Sequence, residues 1–395
     1  MSQSHSIPSF PLQNLPSTTH DFIFRSLSIC DLFSYRLANR RACSDVEEYL
    51  SRTFRIENFL KPYIPLDKIP GFRLVQSETG CLISGSSALS FFTREIYNGS
   101  GLDLFVEWKF CERLVLFLVE DVGYEYRPRR GDGKEQNIEL KKAIKDMMGK
   151  VVSSALDGND NDDDGDDDDD GDGDGEDVSE DGEDGEEIGE NSDEDDGSTD
   201  EEEQEERQNP IEDNSIVDIF SLKKGDKRIQ VIVSFSSPLD IVLGAHSTVV
   251  MNIITHVFAI SFYPQATFID GISLQFWGGY HDAAREKYTR RGWKPIHNLD
   301  ALSVVDPNSA FHHILRTPKD KHSWSIVLPP YIEGMMLDST TAVESWQLTF
   351  VGDADAQLMY GTTQSNRLER GYCIADDLSE SVDRIIEDLE AKEEG

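Results

Sequence analysis

The sequence predicts an α+β chain: a small helical head, then a mixed-sheet α/β domain that a long acidic insertion interrupts. Three observations carry this expectation. Apolar residues at helical spacing open the chain, in the groups Phe22, Ile23, Leu27, then Leu32, Tyr35, Leu37, then Val46, Tyr49, Leu50. Strand-like and helix-like runs then alternate as far as the 290s. Finally, the charge is lopsided: 31 of the 76 acids and none of the 37 bases lie between Asp157 and Glu206. Outside that stretch 45 acids face 37 bases, so the net charge of −39 shrinks to −8. The remainder is an ordinary globular composition, which excludes collagen-like, coiled-coil and disulfide-scaffold classes.

Taken in order, residues 1–11 are rich in Ser, Pro and Gln and are expected to be disordered. Residues 12–56 form the helical head, with an N-cap region around Ser28 and Asp31. Pro62, Pro65 and Pro70 punctuate a connector, and residues 66–350 form the α/β domain. Within it, Phe72–Gln76 reads as a short strand, Cys81–Ser84 as another apolar run, Ala88–Ile96 as a helix and Leu102–Trp108 as a strand. Glu112–Val122 and Gln136–Val151 have helical spacing. Residues 157–206, dense in Asp and Gly, cannot bury enough apolar surface to offset the entropy of ordering, so they are expected to be disordered. Ile216–Leu222 and Arg228–Phe235 read as a hairpin turning at Gly225, followed by a helix over Pro238–Ile254, a strand over Phe258–Phe262 and a helix over Asp282–Arg291. At the end, residues 376–393 place Leu378, Val382, Ile385, Ile386 and Leu389 on one helical face.

Five scattered cysteines without a C-x-x-C pair read as reduced thiols. Met1–Ser9 lack the order of a secretory signal, and the longest apolar run, Val249–Tyr263, is broken by Asn252, Thr255 and His256. The expectation is a chain of the cytoplasm or nucleus, with no membrane association, no direct nucleic-acid binding and no cofactor.

Leu15-Pro16, the Ile23-Phe24 pair with Leu27, and Asp31-Leu32 resemble the F-box, although Thr18 and Thr19 depart from its pattern. F-box modules dock on the Skp adaptor of cullin-RING ubiquitin ligases. The resemblance implies a docking surface of Leu15, Pro16, Ile23, Phe24, Leu27 and Leu32.

Ile83-Ser-Gly-Ser86 followed by Gly101-Leu-Asp-Leu-Phe105 resembles the nucleotidyltransferase (polymerase-beta-like) fold, in which Gly-Ser opens a helix and Asp-x-Asp lies on the next strand. Backbone N–H groups at such a helix start hold phosphate oxygens. Carboxylates two apart on a strand share a face and grip two divalent cations. Fungal families that join an F-box-like head to such a domain share phrases similar to Ser86–Phe92, Ser247–His256 and Lys287–Trp293. Here Gly101 replaces the first acid, Asp103 stands alone, and Gln230 occupies the expected third position. The implied site of Gly85, Ser86, Asp103 and Gln230 is therefore degenerate: no catalytic and no metal residues are expected. The chain reads as a pseudoenzyme and adaptor. Two alternatives stand beside this: an active transferase with displaced carboxylates, Asp218 among them, and an acidic binder of basic proteins such as histones.

The Asp170–Asp181 stretch approximates a calcium loop but lacks flanking helices. His312, His313 and His322 with Asp300, Asp306 and Asp320 show no metal-ligand spacing. Because strand-like runs flank a stretch that cannot fold, deleting residues 157–206 is expected to leave the melting temperature within a few degrees. An insoluble deletion product would show that the acidic stretch belongs to the fold.

Overall fold

The computed structural model describes residues 17–95, 97, 101–128, 140–157, 215–276, 282–312, 315–329, 344–351, 355–363, 368 and 370–393. The expectations for residues 1–11, Leu15, Pro16 and all but the first residue of 157–206 lie outside the described residues. The chain mixes helix and sheet, as its patterning predicts.

Three helices open it: α1 (Ser17–Ser26), α2 (Ile29–Arg36) and α3 (Arg40–Thr53). Ser28 caps α2 by accepting from the Asp31 amide, and Asp31 reciprocates with the Ser28 amide. Asn39 caps α3 through the Ala42 amide at 2.9 Å. Phe24 packs between Tyr35 and Tyr49, with ring centroids 5.6 and 5.4 Å away. Two further helices, α4 (Ile56–Leu60) and α5 (Ile69–Thr79), lead to the sheet.

The α5 helix corrects the strand expected at Phe72–Gln76. Pro70 fits its first turn, and Gly80 closes it at φ +64°. The helix is buried nearly all round, so its sequence carries no amphipathic stripe to distinguish it from a strand. Its polar members satisfy distant carbonyls: Gln76 Nε2 donates to Ile254 O at 2.9 Å, and Arg73 Nη2 to Leu328 O at 3.1 Å.

Next come β1 (Leu82–Ser84), α6 (Gly85–Thr93), β2 (Leu102–Glu107), α7 (Trp108–Leu116), β3 (Glu125–Arg127), α8 (Leu140–Asp157), β4 (Ile216–Lys224) and β5 (Lys227–Ser234). The helix expected over Pro238–Ile254 is shorter: α9 covers only Pro238–Leu243 and stops at Gly244. Beyond it, a 3₁₀ turn precedes β6 (Asn252–Ile254). Val249, Val250, Ile253 and Ile254 are β-branched and favour that outcome. Then follow β7 (Phe258–Ser261), β8 (Ile272–Leu274), α10 (Asp282–Arg290), β9 (Lys294–Ile296), α11 (Ala301–Val305), β10 (Leu315–Arg316) and β11 (Trp324–Val327). The end comprises β12 (Trp346–Val351), β13 (Asp355–Met359), β14 (Gly361–Thr363), β15 (Tyr372–Ile374) and α12 (Asp376–Glu393).

The main sheet has eight strands in the order β11-β7-β6-β1-β2-β5-β4-β3. Only its β2–β5 pair is parallel. One face packs against α5, α7 and α8; the other packs against α9 and the β12–β15 region. The head shares the first of these cores. Phe33, Phe54, Phe92 and Phe268 surround Trp324 of the edge strand, with centroids 5.1 to 5.9 Å away. Arg94, at φ +62°, donates from the end of α6 to Phe24 O and to the Tyr49 hydroxyl.

Two residues expected on the docking surface are therefore interior: Phe24 is 1% exposed and Leu32 0%. An amphipathic head helix needs an apolar face for its own core, and these residues supply it. Ile23 and Leu27 are half-buried against the same core. Exposed apolar groups on the head are instead Phe22, at 77%, and Leu37, at 85%. Leu32→Asp is thus expected to cost about 3 kcal/mol or more of global stability, because a charge enters a shared core without a partner. Phe22→Asp should stay within about 0.5 kcal/mol. Denaturant melts of both variants check this; equal destabilisation would show that the head does not share the sheet's core.

Candidate functional site

The site grows from the turn between β1 and α6. Pairing aligns Ser84 with Asp103, Asp103 with Gln230, and Gln230 with Ser221, so the four side chains form one row across β1, β2, β5 and β4. Asp103, Phe105 and Glu107 share one face of β2, while Leu102, Leu104 and Val106 fill the core on the other. Asp103, Gln230 and Ser221 are only partly buried.

Gly85 makes the turn possible. Its φ is +66°, and a Cβ there would lie 2.9 Å from Asp103 Oδ2. The carboxylate thus occupies the space a side chain at 85 would need. The neighbouring hydroxyls are engaged within the chain. Ser84 Oγ donates to Asn252 O at 2.7 Å, and Ser87 Oγ to Ser84 O at 2.8 Å. The Ser86 hydroxyl hydrogen-bonds Tyr288 of α10, whose phenol burial pushes well above its ordinary range. The Arg291 guanidinium lies 4.1 Å from the centre of the Tyr97 ring and 5.4 Å from that of Tyr288, a cation–π bracket that pins the wall. Tyr288 thereby flanks Ser86 at the start of α6.

The residue two before Asp103 in sequence is Gly101, which carries no carboxylate. At Gly101, where a second acid would share the face of Asp103, a Cβ would meet Arg228 O at 3.1 Å and Arg228 Nε at 3.4 Å. The Arg228 guanidinium lies against the space a side chain at 101 would take. Asp218 does not restore the set. It pairs with Val233, whose side chain lies in the core on the opposite face, and a bulge separates it from Ile216. Its charge is felt there by Cys111 and Tyr126, whose acidic groups burial pushes up and Asp218 raises further. Pairing with Val233 places the Asp218 side chain on the face opposite Asp103. No group of three or more His, Cys, Asp or Glu suited to a metal ion occurs among the described residues. The rings of His312 and His322 stack 6.3 Å apart, but Asp320 is committed to Arg316 Nε at 2.5 Å and Asp306 to its own turn; His313 lies outside the described residues.

The structure brings Gly85, Ser86, Asp103 and Gln230 together around the β1–α6 turn. What the sequence reading missed were Arg228 and the pair Tyr288 and Arg291. The Lys287–Trp293 phrase was the available signal for the latter pair. No family model matches the chain, and no curated protein or solved structure matches it either.

Gly85→Ala is expected to cost about 2 kcal/mol, from the left-handed backbone and the contact with Asp103. Adding Asp103→Ala should recover the steric part. A double-mutant cycle of thermal stabilities without coupling would rule out that contact.

Proposed function

We propose that the chain is a non-catalytic interaction protein: a nucleotidyltransferase-like sheet without its two-metal chemistry, joined to an F-box-like head that docks an adaptor. The observation that carries this reading is the row Ser84, Asp103, Gln230, Ser221, with Arg228 beside Gly101. Hard divalent cations want several oxygen ligands with charge, and one carboxylate facing an amide and a guanidinium is a poor host. Asp218 on the far face weighs against a rearranged transferase. The acidic stretch would add an electrostatic lure for basic proteins, strongest at low salt.

For the head, the buried state of Phe24 and Leu32 moves the docking role to the accessible apolar groups. Phe22 and Leu37, with the half-buried Ile23 and Leu27, are the side chains a Skp-type adaptor would cover.

Two measurements test the proposal. Calorimetry with Mg²⁺-ATP and Mg²⁺-CTP should detect no metal-dependent binding, and Asp103→Asn should change nothing. Nucleotide transfer that Asp103→Asn abolishes would overturn the pseudoenzyme reading. Purified Skp adaptor should bind the full chain, and Phe22→Asp with Leu37→Asp should weaken it at least tenfold without lowering the melting temperature. No adaptor binding by the wild-type chain would leave the head as a brace alone.

A further inference from the structure

The closing helix carries a partly open apolar seam. In α12, Leu378, Val382 and Ile385 follow one another at intervals of four and three, with Ile386 beside them, so all four lie on one helical face. Ile385 is 59% exposed and the other three are half-buried. None of the four belongs to the hydrophobic clusters of the described residues. A lone helix of this length is marginal in water, and most such helices gain their stability by packing an apolar face.

The polar side of α12 is strongly acidic: the helix sequence holds eight acids and two bases. Asp377 lies on one flank of the seam and Asp383 on the other, while Glu380 behind them pairs with Arg384 at 3.2 Å. That pair occupies the one base between Asp376 and Ile386, which leaves the flanks negative. Charges beside an apolar seam decide which helix it accepts. A second copy of α12 would lay acids against acids, in a chain whose net charge is already −39. A helix with Lys and Arg beside its own apolar stripe meets both demands.

We propose that α12 is a docking helix: its Leu378–Ile386 seam takes a basic amphipathic helix from a partner protein, which covers Val382 and Ile385 and sets its cations against Asp377 and Asp383. Apolar burial holds the pair together, and the charges choose the partner. The surface uses no residue of the head.

Hydrogen exchange of the full chain, read segment by segment by mass spectrometry, tests this. The probe is a synthetic amphipathic helix of leucine and lysine, about 18 residues long, beside a leucine–glutamate counterpart. With the basic peptide at about ten times its dissociation constant, exchange in 376–393 should slow about tenfold. The acidic peptide should leave it unchanged, and added salt should weaken the protection. Ile385→Ser, at an exposed position, should keep the melting temperature and lose most of the protection. Reading exchange in α12 itself sets aside any peptide drawn to the acids of 157–206. No slowing with the basic peptide, equal slowing with the acidic one, or slowing undiminished in Ile385→Ser would each overturn the proposal. Slowing that grows with protein concentration alone would name a second copy as the occupant and overturn it too.

Discussion

The six residues of β2 lie at the centre of the main sheet, hydrogen-bonded to β1 on one side and to β5 on the other, and the alternation of their side chains apportions everything else. Leu102, Leu104 and Val106 anchor the larger core, so Asp103, Phe105 and Glu107 must face the other way. Asp103 then meets the β1–α6 turn and Glu107 accepts the Gly371 amide. A one-residue slip would bury both carboxylates in an apolar core, at a cost no contact there offsets.

Around this strand, long side chains reach across the fold to backbone carbonyls. Arg94 joins the sheet to the head, Arg73 reaches Leu328, and Arg370 closes the end of α5. Arg316, nearly fully buried, donates to Phe262 O at 2.6 Å and pairs with Asp320. A guanidinium presents several donors in a rigid plane, so one side chain serves carbonyls from more than one element. Of these, Arg94, with the rings around Trp324, joins the head to the sheet.

The same economy bears on function. Around Asp103 the neighbouring positions hold Gly101, Gln230 and Arg228 rather than further carboxylates. The serines of the turn are tied to Asn252, Ser84 and Tyr288.

Local patterning alone determined a good deal. The helical spacing of the head, the alternation in Leu102–Glu107, the hairpin at Gly225 and the segregation of negative charge are all readable from neighbouring residues, because each depends on period or composition. Asp103 without a same-face acid partner at 101 is equally a matter of spacing along one strand. Tertiary structure decided the rest. Whether Phe72–Gln76 is helix or strand depended on a fully buried environment that erases amphipathic pattern. Which face Asp218 joins depended on a bulge and on pairing with Val233. The meeting of Gly101 with Arg228, of Ser86 with Tyr288, and of Glu344 with Cys373 joins residues far apart in sequence, and only the packing of one element on another sets their distances.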